Sequence, residues 1–313
     1  MKNKNYLGIW SKKWLDYKSC VVKESTYIKY RSIITIHINP SFEFTCIQTL
    51  SNSNIQNFIN MKINDEGLSI KTVTEIINVL KSILAYAEDF LVTNQCNFKY
   101  ICLKNKKPQA IRVLAKDEEK RLLDVLINDI DIYKLGVLIG LYSGLRIGEI
   151  CALRWENVNF ENNIILVANT MQRLQTVEND KKTHIVITSP KTKSSYREVP
   201  ISNFLQNYMK QFVSNKAFVI STDRKQFIEP RVMQYRFKKY LKQGQISNAN
   251  FHSLRHTFAT RCIESGVEAK ALSEILGHSS VTITLDRYVH SSIEYKYSNI
   301  KKFDAYMKNI SQS

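Results

Sequence analysis

Three short β-branched stretches, 164–168, 184–188 and 197–201, are set apart by polar turns. Most apolar residues outside them recur at helical spacing. That combination predicts a mainly α chain with a small antiparallel β-sheet, an α+β class rather than a doubly wound or all-β fold. The clearest helix opens at Ser69 and places Val73, Ile76, Ile77, Leu80, Ile83, Leu84 and Ala87 on one face. Upstream, Ser25 is a candidate cap for a helix over 26–36, and Asn52 or Ser53 for one over 55–61. Residues 1–103 therefore read as a helical domain with a core of its own.

The run Lys104-Asn105-Lys106-Lys107-Pro108 interrupts this pattern and marks a basic linker over 104–115. Its lysines contact phosphates if it crosses a DNA backbone; in a plain linker they keep it solvated. A second domain follows over 116–313, with a tail at 289–313. Gly136, Gly140, Gly144 and Gly148 recur every four residues, as in a closely packed buried helix with Gly144 as its left-handed stop. Residues 169–182 read as an unusually long first hairpin loop.

Charge narrows the partner. Lys and Arg number 45 against 28 Asp and Glu, a formal net charge of +17. The excess is +7 up to residue 107 and +10 beyond it, as expected if both domains face one polyanion. Residues 224–242 hold seven basic side chains and only Glu229. A helix starting near Arg231 would show a core side with Tyr235, Phe237 and Tyr240 and an opposite cationic side. The six cysteines form no CxxC pair, which argues against a disulfide scaffold or a zinc ribbon. The longest apolar run, 135–145, falls short of the roughly 20 residues a membrane helix needs. With no apolar signal core at the start, a cytoplasmic protein without a membrane partner is expected.

Four segments concentrate unusual polar groups: 143–149 (Ser-Gly-Leu-Arg-Ile-Gly-Glu), 190–194, 252–256 (His-Ser-Leu-Arg-His) and 276–280. A metal reading would use His252, His256 and His278, but Ser253 stands where a zincin needs its glutamate, and Arg255 would repel the cation. A structural reading explains each residue singly; by it His256 beside Arg255 is structural, and Glu149 holds Arg146 or a helix end. A third reading takes them together. Arg146 and Arg255 offer planar forks of donors, His252 and His278 add further donors, and Lys191 adds a mobile ammonium. This is a cage for a pentacovalent phosphorane, with Tyr288 as the nucleophile and Tyr295 and Tyr297 as rivals. Surrounding positive charge is expected to lower the Tyr288 pKa. No carboxylate pair is placed for Mg²⁺ and no phosphate-binding glycine loop is present, so neither metal nor cofactor is expected.

These segments resemble the tyrosine recombinases, the family of phage integrases, Xer-type recombinases and transposon integrases. The family's arginine box is matched at 143–149, its HxLRH at 252–256, and its LGH followed by tyrosine at 276–288. The resemblance covers 110–292, and extends to 1–103 as a helical, SAM-like core-binding domain. It implies that Arg146 and Arg255 clamp the scissile phosphate, and that His252 and His278 hydrogen-bond its oxygens, His252 also accepting the phenol proton. It further implies that Lys191, with Lys193 as its competitor, protonates the leaving 5′-hydroxyl, and that Tyr288 becomes a 3′-phosphotyrosine. Further DNA contacts are expected from Lys104, Lys106, Lys107, Lys193, Arg231, Arg236, Lys238 and Lys239. The implied architecture is a C-shaped clamp on double-stranded DNA, monomeric when free and tetrameric at paired sites. An accessory bending or directionality protein is a possible partner, and no additional arm-site domain is expected. Tail residues Ile293, Ile300, Phe303, Tyr306 and Met307 could form an apolar helical face, which by the resemblance docks on a neighbouring protomer and otherwise packs back on its own domain. The expected reaction integrates or excises a mobile element. Alternatives are an Xer-type resolvase or invertase, a type IB topoisomerase, and a DNA-binding regulator that keeps the fold without the chemistry.

Overall fold

The computed structural model describes residues 5–94, 96–101, 111–176, 182–189 and 193–288, with 297, 300–301, 303–305, 307–308 and 310 of the tail. It divides into two compact units, one of residues 1–109 with 174–182, the other of 110–173 with 183–313.

The first unit is built from α1 (Leu7–Val21), α2 (Glu24–Ile33), α3 (Asn39–Phe42), α4 (Asn52–Asn64) and α5 (Ile70–Glu88). The Ser69 hydroxyl caps α5 by accepting the Thr72 N–H at 3.1 Å. All seven residues of its expected apolar face are buried, at about 1.5–3 kcal/mol for each large aliphatic side chain. They pack with Trp10, Trp14, Ile55 and Phe58 into one core. Two start signals are corrected. Ser51, not Asn52 or Ser53, caps α4, because it and Asn54 satisfy one another's backbone N–H groups. Ser25 lies inside α2, whose N-cap is Lys23 without a side-chain bond, and α2 runs into a π-helical turn at Ile34–Ile38.

The second unit contains α6 (Lys116–Ile127), α7 (Ile132–Ser143), α8 (Ile147–Cys151), β1 (Val158–Asn159), β2 (Ile164–Val167), β3 (Thr170–Gln175, whose last two residues are counted with the first unit), β4 (Thr183–Thr188) and β5 (Arg197–Pro200). It continues with α9 (Asn203–Lys210), α10 (Pro230–Gln243), α11 (Phe251–Glu264), α12 (Ala269–Leu276) and α13 (Val281–Tyr288). The Asp131 carboxylate caps α7. This helix is the hub, packed against α6, α8, α9, α10 and α11. Its glycine spacing matters here: a Cβ on Gly136 would meet Met233 of α10 at 2.5 Å.

The three expected strands exist but do not form one sheet. β2 pairs antiparallel with β1 and β5, Ile165 facing Val199, whereas β4 pairs with β3 in a separate ribbon. The expected long loop is thus partly strand. β3, Thr-Met-Gln-Arg-Leu-Gln, lacks the β-branched run that marks β2, and this explains its omission. Among the described residues no helix is long and apolar enough to cross a membrane.

Candidate active site

The arginine box begins where α7 stops. Gly144 takes a left-handed conformation at φ +64°, as expected, and Arg146 becomes the N-cap of α8. Its backbone N–H donates to Glu149 Oε2 at 2.9 Å and its guanidinium to Oε1 at 2.7 Å. Glu149 therefore does hold both Arg146 and the helix start. It also receives both terminal nitrogens of Arg197, a buried residue of β5. Burial pushes the Glu149 carboxyl up, but the hydrogen bonds and charge of Arg197, with the charge of Arg146, outweigh it and keep the group below its ordinary range.

Asn250 caps α11 by accepting the N–H groups of His252 and Ser253. One turn on, Arg255 is 2 % exposed and donates to the carbonyls of Gly144 at 2.9 Å and Leu276 at 2.6 Å. Both oxygens lie at helix C-termini, where a cation is favoured. Burial, and then the nearby Arg146, bring its pKa down to about 9, so it stays cationic at neutral pH. Two of its five N–H donors are used on the backbone, which leaves others for a ligand oxygen.

His252, His278 and Tyr288 share this electrostatic environment. Burial lowers both imidazoles, and Arg255, Arg146 and Arg287 lower them further, His278 to about 4. The His278 Nδ1 meets Thr284 Oγ1 at 2.8 Å, which leaves Nε2 for a ligand. Its ring stacks on Tyr288 with planes 6° apart and centroids at 6.4 Å. Tyr288, the last residue of α13, is 6 % exposed. Its hydroxyl meets His256 Nδ1 at 2.8 Å. The expected lowering of its pKa is overturned: burial raises it, and Arg255, Arg287 and Arg146 only partly offset that.

Arg146 and His252 open onto a cleft of about 780 Å³ that Asn250 and α10 also line, the latter through Arg231, Gln234, Tyr235 and Lys238. The two expected sides of α10 need correction. Phe237 and Tyr240 are buried, but Tyr235 is 59 % exposed on the cationic side, under Lys239. Arg236 does not line the cleft; its guanidinium sits 4.4 Å from the ring centroid of Tyr133.

Other expected residues fall elsewhere. Lys104, Lys106, Lys107, Lys191, Tyr295, Ile293, Tyr306 and the Lys193 side chain lie outside the described residues. Tyr297 is exposed, with Lys301 over its ring, and Ile300, Phe303 and Met307 are exposed too. Among the described residues no three potential ligands gather around a metal position. Sequence reasoning missed Arg197, Arg287, Thr284, Gln234 and Asn250, and gave His256 a structural place only. The available signal was adjacency for Arg287, beside the tyrosine, and helical spacing for His256, one turn after His252.

The model of the phage integrase family matches residues 112–294, and that of the phage integrase N-terminal SAM-like domain matches 7–63. A XerC-like tyrosine recombinase of Caldanaerobacter subterraneus subsp. tengcongensis is 28% identical over 294 residues, covering 86% of this chain and 74% of its own length. The transposase of transposon Tn916 from Enterococcus faecalis is 26% identical over 268 residues, 78% of this chain and 64% of its own length. Among solved structures, the integrase of transposon Tn1549 in complex with a circular intermediate DNA superposes with a TM-score of 0.80. It is 20% identical and covers 95% of this chain and 99% of that one, which establishes the fold.

Proposed function

Because the chain belongs to the phage integrase family, we propose that Tyr288 is its nucleophile and that it integrates or excises a mobile element. Within that family it is a tyrosine recombinase, a site-specific enzyme that breaks and rejoins DNA strands. The observation that carries the residue assignment is the convergence of His252, His278 and Tyr288, drawn from three helices and their ends, within electrostatic reach of the same two arginines, Arg146 and Arg255.

In this reading Arg146 and Arg255 bind the scissile phosphate, one held by Glu149 at the cleft and one fixed by two carbonyls. His252 and His278 hydrogen-bond the remaining phosphate oxygens. Tyr288 Oη attacks phosphorus, the 5′-oxygen leaves with a proton from Lys191, and a 3′-phosphotyrosine forms. Attack by a 5′-hydroxyl of another strand reverses the step. Preorganised donors around the developing charge supply the main stabilisation. Arg231 and Lys238, bordering the cleft, are the proposed phosphate contacts of α10, and the linker lysines 104, 106 and 107 extend them. The domains are proposed as 1–103, a linker over 104–115, and 116–313. A tetramer on paired sites, acting in the cytoplasm, completes the proposal; a lambda integrase tetramer on a Holliday junction shares the fold.

A nicked duplex carrying the joined ends of the element tests it. The short fragment bearing the freed 5′-hydroxyl diffuses away after cleavage, so wild-type protein should accumulate as a covalent adduct and Tyr288→Phe should not. Absence of a wild-type adduct would turn the reading toward a DNA-binding regulator. Relaxation of supercoiled DNA without sites would favour a topoisomerase.

A further inference from the structure

The geometry points to His256, rather than His252, as the group that accepts the Tyr288 proton during cleavage and returns it during rejoining. This rests on Tyr288 being the nucleophile. The two histidines are one turn apart on α11, and their rings meet edge to face at 4.5 Å. Their surroundings divide their labour. His252 borders the cleft together with Arg146 and Asn250. His256 is not among the residues that line it; its Nδ1 is 2.8 Å from the Tyr288 hydroxyl and its ring centroid 5.8 Å from the phenol centroid. That distance is hydrogen-bond reach for a proton acceptor.

The electrostatics keep the ring unprotonated, as an acceptor must be. Burial, then His252, Arg287 and Arg255, hold the His256 pKa at about 4, so the ring is neutral at working pH and keeps a lone pair to offer. With its proton on Nε2, the imidazole accepts at Nδ1 from the phenol. A negatively charged phosphate entering the cleft offsets the arginine charges and makes the ring more basic when it must act. His278 has its Nδ1 engaged by Thr284, which removes that nitrogen from the competition.

The step balances without a co-reactant. The Tyr288 O–H bond breaks, its electron pair forms the O–P bond, and the proton moves to His256 Nδ1. The P–O5′ bond breaks, and the leaving oxygen takes a proton from the acid proposed at Lys191. In rejoining, the imidazolium of His256 returns its proton to the departing phenolate.

Two substrates separate action on the nucleophile from action on the leaving group: the nicked duplex above, and the same duplex with sulfur in place of the scissile 5′-oxygen. A thiolate leaves without a general acid. His256→Asn keeps a polar atom near the Nδ1 position but cannot accept a proton. This full-length variant should melt and bind DNA like wild type yet form adduct about 10²-fold more slowly or worse, with oxygen and sulfur leaving groups alike. Lys191→Ala should be slow only with oxygen. Adduct formation by His256→Asn within threefold of wild type overturns the proposal, as does recovery of that variant on the sulfur substrate. If His256→Asn fails to fold, His256→Ala with added imidazole replaces it: recovered cleavage supports the role, and a folded variant that stays inactive with imidazole overturns it. A wild type that forms no adduct overturns the underlying assignment of Tyr288 and this inference with it; a wild-type adduct beside an unimpaired variant overturns this inference alone.

Discussion

Glu149 holds Arg197 across 48 positions of sequence, its two carboxylate oxygens 3.2 and 3.0 Å from the two terminal guanidinium nitrogens. The same oxygens take the side chain and backbone N–H of Arg146. Arg197 continues to the carbonyl of Ile275 through Nε at 2.6 Å. One buried carboxylate thus ties the arginine box to β5, and Arg197 ties β5 to the end of α12, next to His278. The pair orients the cleft without facing it.

Removing Arg197 takes two hydrogen bonds and one of its two arginine partners from the buried Glu149 carboxylate, leaving it to Arg146. Arg197→Met should therefore destabilise the protein by about 1–3 kcal/mol. Urea unfolding measures this. In the surviving folded fraction adduct formation should drop about 10²-fold, because Arg146 and His278 both lose an anchor. A variant as stable and as active as wild type would show the pair to be incidental.

Gly277 stands at φ +66°, and a Cβ there would come within 2.8 Å of the Ser194 carbonyl and 2.9 Å of Arg197 Cδ. Gly277→Ala should cost about 1–3 kcal/mol in backbone strain, before any crowding. Gly67 shares the conformation at φ +65° but has nothing within 4 Å. Gly67→Ala is thus the control for strain alone. Thermal melts should rank Gly277→Ala below Gly67→Ala, and its cleavage should also fall, since the adjacent Leu276 carbonyl anchors Arg255.

His256 and His278 both have pKa values held at about 4, below the ordinary 6.5. Between those values the unfolded chain binds protons that the folded chain refuses, so stability falls as pH drops through that window. Above pH 6.5 neither state is protonated and the effect disappears. Melting midpoints followed from pH 7 to pH 4 should decline in the wild type. They should decline less in His278→Asn, which lacks one of the two groups. Equal slopes would remove this histidine from the account.

The cleft residues of α10 should separate into two kinds. Arg231→Ala should weaken DNA binding on all sequences and reduce the logarithmic salt slope by about 1. Gln234→Ala should change preference at one base position by about 1–3 kcal/mol, because a carboxamide can pair bidentately with an adenine edge. Arg236→Ala should leave both unchanged, since that guanidinium is placed over Tyr133. Fluorescence anisotropy on a panel of duplexes at several salt concentrations reads all three.

Most of the helical architecture was legible because its signals are local. The α5 face, the Gly144 stop and the β2 and β5 stretches each follow from residues a few positions apart, and the structure has them where the spacing put them. The arginine box and the HxLRH segment were visible for the same reason: each is a short string in which unusual polar residues crowd together. Strand pairing was not legible, because β4 could have joined either sheet and its choice of β3 depends on a segment without strand-like composition. Tyr235 was misplaced because an aromatic residue on a helix looks core-facing until its neighbours are known.

By itself, then, the order of residues determined which groups could bind a phosphate and which local turns would present them. What it could not determine was who meets whom. That Arg197 rather than solvent completes Glu149, that Arg255 spends donors on two helix ends, and that His256 reaches the Tyr288 hydroxyl all join residues 21 to 111 positions apart. Such contacts depend on how α7, α11, α12 and α13 pack, and packing is a property of the whole core. The sign of the Tyr288 pKa shift was decided there as well, since burial exists only once the helices have closed around the ring.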